Sequence, residues 1–261
     1  MEKLYVIKIG GNIVDDEAKL SSFLKDFAQL QGKKILVHGG GKLATQMAAQ
    51  LNIPQQMIDG RRITDERTLR VVTMVYAGLI NKNIVSALQA NGCNAIGLCG
   101  ADGNAILAHK RTRSNIDYGF AGDVDEVNVN LISSLLDAGL TLVMAPITHD
   151  AKGQLLNTNA DTIAQEIGRA LVKQYVVQLI YSFEKSGVLI NANDDSTVIA
   201  SMTPDYYADL KKKEVIFAGM IPKLDNAFKA LQEGVDTVII GKAEELPALI
   251  NGNAGTTLRH E

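Results

Sequence analysis

The sequence predicts an α/β fold: a three-layer α/β/α sandwich on a mainly parallel central sheet. Short runs rich in Val, Ile and Leu alternate with amphipathic segments of helix length along nearly the whole chain. That alternation is the signature of a parallel sheet covered by helices on both faces. Two of them, Leu4–Ile9 and Lys34–His38, end directly in glycine, at Gly10-Gly11-Asn12 and Gly39-Gly40-Gly41-Lys42.

In chain order, the strand Leu4–Ile9 leads to a helix near Glu17–Gln31, and Ile35–His38 leads into a helix at Leu43–Leu51. This is a βαβ unit, so the two glycine turns fall side by side. A long helix spans about Asp65 to Ala90, with Thr64 as its N-cap and Leu69, Val72, Tyr76, Leu79 and Ile80 near one face. It is too apolar to be solvated all round and packs on the sheet or on a second subunit. Ala95–Leu98, Thr141–Pro146, Tyr175–Ile180 and Thr237–Ile240 read as further core strands, while 104–129, rich in Gly, Asp and Asn, reads as hairpins or loops beyond the sheet. Asn157-Thr158-Asn159-Ala160-Asp161 opens a helix to about Val172, and Ala218-Gly219-Met220-Ile221-Pro222-Lys223 precedes another at Leu224–Gly234.

At 261 residues and 46% hydrophobic, the chain suffices for one large unit or two tightly joined lobes. A net charge of -3 provides no broad basic footprint, which argues against nucleic acid and anionic membranes as partners. Any anion must be gripped locally. Cys93 and Cys99 fit neither a zinc pair nor a disulfide framework, which suggests buried thiols in a reducing compartment. The chain opens straight into a strand pattern, and no stretch reads as long as a membrane span, so a cytoplasmic location is expected.

Bare backbone amides at the ends of two neighbouring strands, with Lys8 and Lys42 beside them, suit phosphate or carboxylate. Gly39-x-Gly41-x-x-Ala44 also matches a dinucleotide fingerprint, with Asp59 about 20 residues on. Asp59 lies in a polar turn, however, and not at the end of the second strand. A P-loop is excluded, because no Gly-x-x-x-x-Gly-Lys-Ser/Thr occurs.

Other polar groups at element ends admit two readings each. Arg62 is either a solvated arginine or a fork for a carboxylate. Asn159 or Thr158 caps a helix whose first turn holds Asp161, either as a dipole complement or as part of a site. Lys223 is a helix-start lysine or a second cation. His38 reads as a hydrogen-bonded structural residue, and His109, His149 and His260 are scattered.

Together these segments resemble the amino-acid kinase family, in its branch that phosphorylates acylated glutamate. The resemblance rests on Lys-Ile-Gly-Gly-Asn at 8–12, His-Gly-Gly-Gly-Lys at 38–42, Gly-Arg-Arg-Ile-Thr at 60–64, Gly-Phe-Ala-Gly-Asp at 119–123, Asn-Thr-Asn-Ala-Asp at 157–161 and Gly-Met-Ile-Pro-Lys at 219–223. It covers essentially the whole chain.

The resemblance implies a single carbamate kinase-like domain, with residues 1–150 binding the acylamino acid and carrying dimerisation, and residues 151–261 binding nucleotide. It implies transfer of the γ-phosphoryl of ATP, with Mg²⁺, to the side-chain carboxylate of N-acetyl-L-glutamate in arginine biosynthesis. The products would be an acyl phosphate and ADP. By position Lys8 and Lys223 flank the phosphoryl and Asp161 orients both. Gly10, Gly11 and Gly40 are phosphoryl donors, and Gly40, Gly41, Arg62 and Asn157 contact the acylamino acid.

The segment with Tyr118, Gly119, Phe120 and Gly122 matches the region over the acyl end. With Lys110, Arg111 and Arg113 nearby, N-succinyl-L-glutamate is an alternative substrate. A non-catalytic amino-acid or nucleotide sensor on the same fold is another. Tyr181–Val188 departs from the family's Thr-Asp-Val-x-Gly-Val turn by one residue, so nucleotide contacts do not transfer there. The chain begins about three residues before its first strand. The arginine-inhibited relatives carry an added N-terminal helix, so the expectation is a homodimer through the 65–90 helix without strong arginine inhibition. No protein-only metal site is expected, and Mg²⁺ arrives with the nucleotide.

Overall fold

The computed structural model describes residues 1–58, 60–112, 116–191, 193–213, 215–216 and 220–260. The strands are β1 (Glu2–Ile9), β2 (Lys33–His38), β3 (Gln56–Ile58), β4 (Arg61–Ile63), β5 (Ala95–Leu98), β6 (Ile106–Lys110), β7 (Ala121–Val127), β8 (Thr141–Met144), β9 (Ile147–His149), β10 (Leu155–Thr158), β11 (Tyr175–Phe183), β12 (Ser201–Met202), β13 (Thr237–Lys242) and β14 (Thr256–Leu258). The helices are α1 (Gly11–Val14), α2 (Glu17–Gln29), α3 (Gly41–Gln50), α4 (Glu66–Thr73), α5 (Asn81–Ala90), α6 (Val129–Asp137), α7 (Ala160–Leu171), α8 (Pro204–Lys212), α9 (Ile221–Gln232) and α10 (Leu246–Ile250).

The central sheet runs β12-β14-β13-β11-β1-β2-β8-β5, and its described pairs are parallel except β13 with β14. The period of two along each strand divides the core. Leu4 and Val6 of β1, with Ile35 and Val37 of β2, join Ile163 and Ile167 of α7 and Leu224 and Leu231 of α9 on one face. Ile7 and Ile9, with Leu36, join Phe23 and Phe27 of α2, Ala44 and Ala48 of α3, and Ile84 and Leu88 of α5 on the other. The three-layer α/β/α expectation is borne out, and β1 at its centre carries Lys8 near its end.

Segment 104–129 forms β6 and β7, an antiparallel pair that closes with β9 and β10 into a small barrel beyond the main sheet. Gln56–Ile58 and Arg61–Ile63 pair as the separate β3–β4 hairpin, and Asp59 lies outside the described residues.

The long helix needs three corrections. Its N-cap is Asp65 and not Thr64: the Asp65 carboxylate accepts from Thr68 N–H at 2.7 Å. Buried Thr64 instead bridges to Gly119. The helix is also not uniform, because Met74–Ile80 winds as a π-helix between α4 and α5. Finally, Glu66–Ala90, 25 residues, is by length and composition apolar enough to cross a membrane. Val72, Ile84 and Leu88 bury one side of it in the core, while Met74 and Leu79 remain exposed.

Candidate active site

The two glycine turns meet where β1 and β2 end. Ile9 lies opposite His38 in the parallel register, and Gly39 N–H donates to the Ile9 carbonyl at 3.1 Å. A Cβ on Gly39 would stand 3.8 Å from the Gly11 nitrogen, so the turns are in contact. Gly40 cannot be replaced without strain: its φ is +152°, and a Cβ would lie 2.1 Å from Ile80 Cδ1. Neither α1 nor α3 has a side-chain cap from its own N-cap residue, Gly10 or Gly40. Their first amides are therefore open to an anion, apart from Ile13 N–H, which donates to Gly10 O at 3.2 Å, and Leu43 N–H, which is drawn to Asp15. Burial pushes the Asp15 carboxyl up, against the pull of Lys42 and this amide.

Alternation along β1 puts Lys8 on the α7 side of the sheet, and the first turn of α7 brings Asp161 to it. Lys8 Nζ and Asp161 Oδ1 are 2.7 Å apart, with side chains 16% and 33% exposed. Asn159 is the N-cap, accepting from the N–H groups of Asp161 at 2.8 Å and Thr162 at 3.2 Å. Capping and ion pairing therefore coexist, one by Asn159 and the other by Asp161. Behind them Tyr181 hydroxyl reaches the Asp161 carbonyl at 3.5 Å, and burial, then the charges of Asp161 and Glu166, push its phenol well up.

Lys223 enters from the first turn of α9, with Nζ 4.9 Å from the centroid of the Phe183 ring. Lys8 and Lys223 line two cavities in common. A cavity of about 230 Å³ is lined by Gly40, Gly41, Arg62, Asn157 and Asp161, with Lys8 at its edge. One of about 480 Å³ continues past Lys8 and Asp161 to Tyr181, Phe183 and Lys223. Phe183 and Lys223 also border a third, of about 380 Å³, walled by Val188, Leu189, Ile216 and Met220. The cleft thus runs from the glycine turns to the end of β11 with Lys8 and Asp161 between.

The structure brings Lys8, Asp161, Lys223, Gly10, Gly11, Gly40, Gly41, Arg62 and Asn157 to one cleft. Arg62 is not a free fork. It is 8% exposed, and Nη2 donates to Gly41 O at 2.8 Å and Thr45 Oγ1 at 2.9 Å, while Nη1 donates to Gln55. Its first task is to tie the hairpin to α3. Asn157 Nδ2 donates to Thr64 Oγ1 at 3.0 Å. In the 104–129 segment Arg111 is held by Asp123, and Lys110 lies 3.4 Å from Asp117. Arg113, Ala218 and Gly219 lie outside the described residues.

The sequence profile of the amino acid kinase family matches residues 3–242. The chain belongs to the amino acid kinase family. It is 57% identical, over 99% of both chains, to a protein from Cytophaga hutchinsonii named acetylglutamate kinase. Carbamate kinase from Giardia lamblia, solved with AMP-PNP, superposes with a TM-score of 0.73 at 14% identity, covering 100% of this chain and 99% of that one. N-acetylglutamate synthase from Neisseria gonorrhoeae, solved with coenzyme A and N-acetyl-glutamate, superposes with a TM-score of 0.83 at 20% identity, covering all of this chain. This chain spans 60% of that synthase, and at such identities both structures speak for the fold alone.

Other residues border this cleft, and the sequence left Asn12 and the packing of Tyr76 and Ile80 unassigned. Asn12 bridges the cleft mouth: its side-chain nitrogen donates to Glu184 and its oxygen accepts from Lys42. It stood inside the first glycine motif, but nothing local in sequence links it to position 184. Tyr76 and Ile80 wall Gly40 from the π-helical turn. His38 is structural, with Nδ1 donating to Gly39 O at 2.9 Å and Nε2 accepting from Asn81 at 3.3 Å. Burial pushes its imidazole down to about 4.

Among the described residues no three His, Cys, Asp or Glu side chains cluster as a metal cage. Asp161 is engaged by Lys8 and Glu184 by Asn12. This donor set fits a divalent ion carried mainly by phosphate oxygens and water.

Proposed function

We propose that this amino acid kinase transfers the γ-phosphoryl of ATP to the side-chain carboxylate of N-acetyl-L-glutamate, giving an acyl phosphate and ADP for arginine biosynthesis. The observation that carries the reading is the 2.7 Å pair of Lys8 and Asp161 at the junction of two cavities, one walled by glycine turns and the other by the end of β11.

The acceptor carboxylate is ionised at neutral pH, so the reaction needs no general base. One of its oxygens bonds to the γ-phosphorus as the bond from that phosphorus to the β,γ-bridging oxygen breaks, and ADP leaves with the electron pair. The protein's task is electrostatic: Lys8 and Lys223 meet the charge on the phosphoryl oxygens, and the amides of Gly10, Gly11 and Gly40 add fixed donors. Asp161 holds Lys8 in place. Gly40, Gly41, Asn157 and the anchored Arg62 receive the acylamino acid. Bound Mg²⁺ supplies neutralisation of the nucleotide phosphates.

Residues 1–150, approximately and with Asn157 added, serve the acylamino acid and dimerisation, and residues 151–261 the nucleotide, which enters beside Phe183, Val188 and Met220. The acetyl group is favoured over succinyl because the described cations of the 104–129 segment, where the acyl end is placed, are not free to meet an added carboxylate. Among the described residues of the acyl end, Arg111 and Lys110 already face Asp123 and Asp117. The exposed Met74 and Leu79 face of the long helix pairs two copies into a homodimer, working in the cytoplasm. The decisive assay traps acyl phosphate with hydroxylamine using N-acetylglutamate, N-succinylglutamate, glutamate, aspartate or UMP as acceptor. Turnover chiefly on N-acetylglutamate supports the reading, and turnover on none overturns it in favour of a sensor.

A further inference from the structure

The β3–β4 hairpin presents two consecutive arginines with opposite fates. Arg62 is buried and held by Gly41, Thr45 and Gln55. Arg61 is exposed, and while its backbone pairs with Ile58 in the hairpin, its side chain makes no hydrogen bond, ion pair or ring contact with any described residue. Yet Arg61 lines both the 230 Å³ cavity at the glycine turns and the 480 Å³ cavity at the end of β11. It shares that double position with Lys8 and Asp161. The group in transit must occupy the place where these two cavities meet.

The other cations near that junction each have a protein partner that holds them in place. Lys8 is paired with Asp161, Lys223 lies over the Phe183 ring, and Arg111 is bound to Asp123. A guanidinium without a protein partner is available to a ligand that supplies two oxygens, and its planar fork matches a phosphoryl edge. Arg62 makes this feasible by fixing the hairpin to α3, so the strand that carries Arg61 does not have to be ordered when substrate binds. We infer that Arg61 is a catalytic residue of this kinase, an arginine supplied within the chain that clamps the equatorial oxygens of the phosphoryl group in transit. The inference rests on the kinase reading above.

The test compares wild type, Arg61→Ala and Arg61→Lys in the hydroxylamine-trapped assay with N-acetylglutamate and MgATP, with and without added guanidinium ion. The expected result is a fall in kcat of about 10²-fold for Arg61→Ala, with a smaller change in the KM of either substrate. Guanidinium ion restores at least about fivefold of that loss, because it replaces the missing fork, and Arg61→Lys, with charge but no fork, falls between. A kcat for Arg61→Ala within about twofold of wild type overturns the inference. So does a loss that guanidinium ion leaves unrestored, which marks a structural role. Wild type without turnover sinks the kinase reading and this inference together, whereas an active wild type with an unaffected variant sinks only the role of Arg61.

Discussion

Asp161 in the first turn of α7 reaches Lys8 near the end of β1 across 2.7 Å, linking residues 153 positions apart through the packing of one helix on one face of the sheet. Both side chains keep some contact with water, so the pair adds no more than about 1 kcal/mol to stability. Its value lies in placing the ammonium. Asp161→Asn should therefore lower kcat far more than it raises either KM, with thermal unfolding close to wild type. Lys8→Ala should lose about 10²–10³-fold in kcat with the fold intact. Steady-state kinetics beside calorimetry check both, and near-normal turnover of Lys8→Ala would remove it from the mechanism.

Gly40 is held by its surroundings as much as by its own backbone. Gly40→Ala places a methyl against Ile80 at a φ of +152°, so a loss of about 1–3 kcal/mol is expected in denaturant titration. Ile80→Val in the same chain removes the clashing Cδ1 and should recover part of the loss. The remainder measures backbone strain, and full recovery would show that side-chain volume alone imposed the glycine.

His38 gives the fold a defined pH dependence. Its imidazole is pushed down to about 4 by burial, while the unfolded chain titrates near the ordinary value of 6.5. Between those values the unfolded state binds the extra proton, so stability falls as pH falls. The expected slope is up to about 1.4 kcal/mol per pH unit, reaching about 3 kcal/mol at pH 4 and flat below it. His38→Asn should abolish this component. The comparison to make is the difference in slope between wild type and variant in urea titrations from pH 7 to 4.5, and equal slopes would show that His38 titrates normally.

Much of this architecture was legible because its causes are local. Period-two burial in β1 and β2, the glycine turns after them and the Asn159 cap all follow from neighbours in sequence. What escaped depends on tertiary packing. The π-helical turn at Met74–Ile80 carries Gly78 but no sequence signal that separates a π turn from a plain helix, and Tyr76 and Ile80 within it pack against Gly40, far off in sequence. The engagement of Arg62 was likewise hidden, because Thr45 and Gln55 carry no signal that they meet it.

Asn12 supplies the prediction least visible in the sequence. Its amide joins Lys42 of α3 to Glu184 beyond β11, so one side chain ties both glycine turns to the segment that borders the cavity proposed for the nucleotide. These are exposed hydrogen bonds worth about 1 kcal/mol, which corresponds to about a fivefold effect on an equilibrium. Asn12→Ala and Glu184→Ala should each raise the KM for ATP by about that factor and change kcat less, because the link holds the cleft closed on nucleotide without touching the reacting atoms. Glu184→Gln keeps an acceptor oxygen and should remain near wild type. If the two positions act through one bond, the Asn12→Ala and Glu184→Ala double variant will be no worse than either single variant. Additive losses in that cycle would mean that the contact is not the route by which either residue affects the nucleotide.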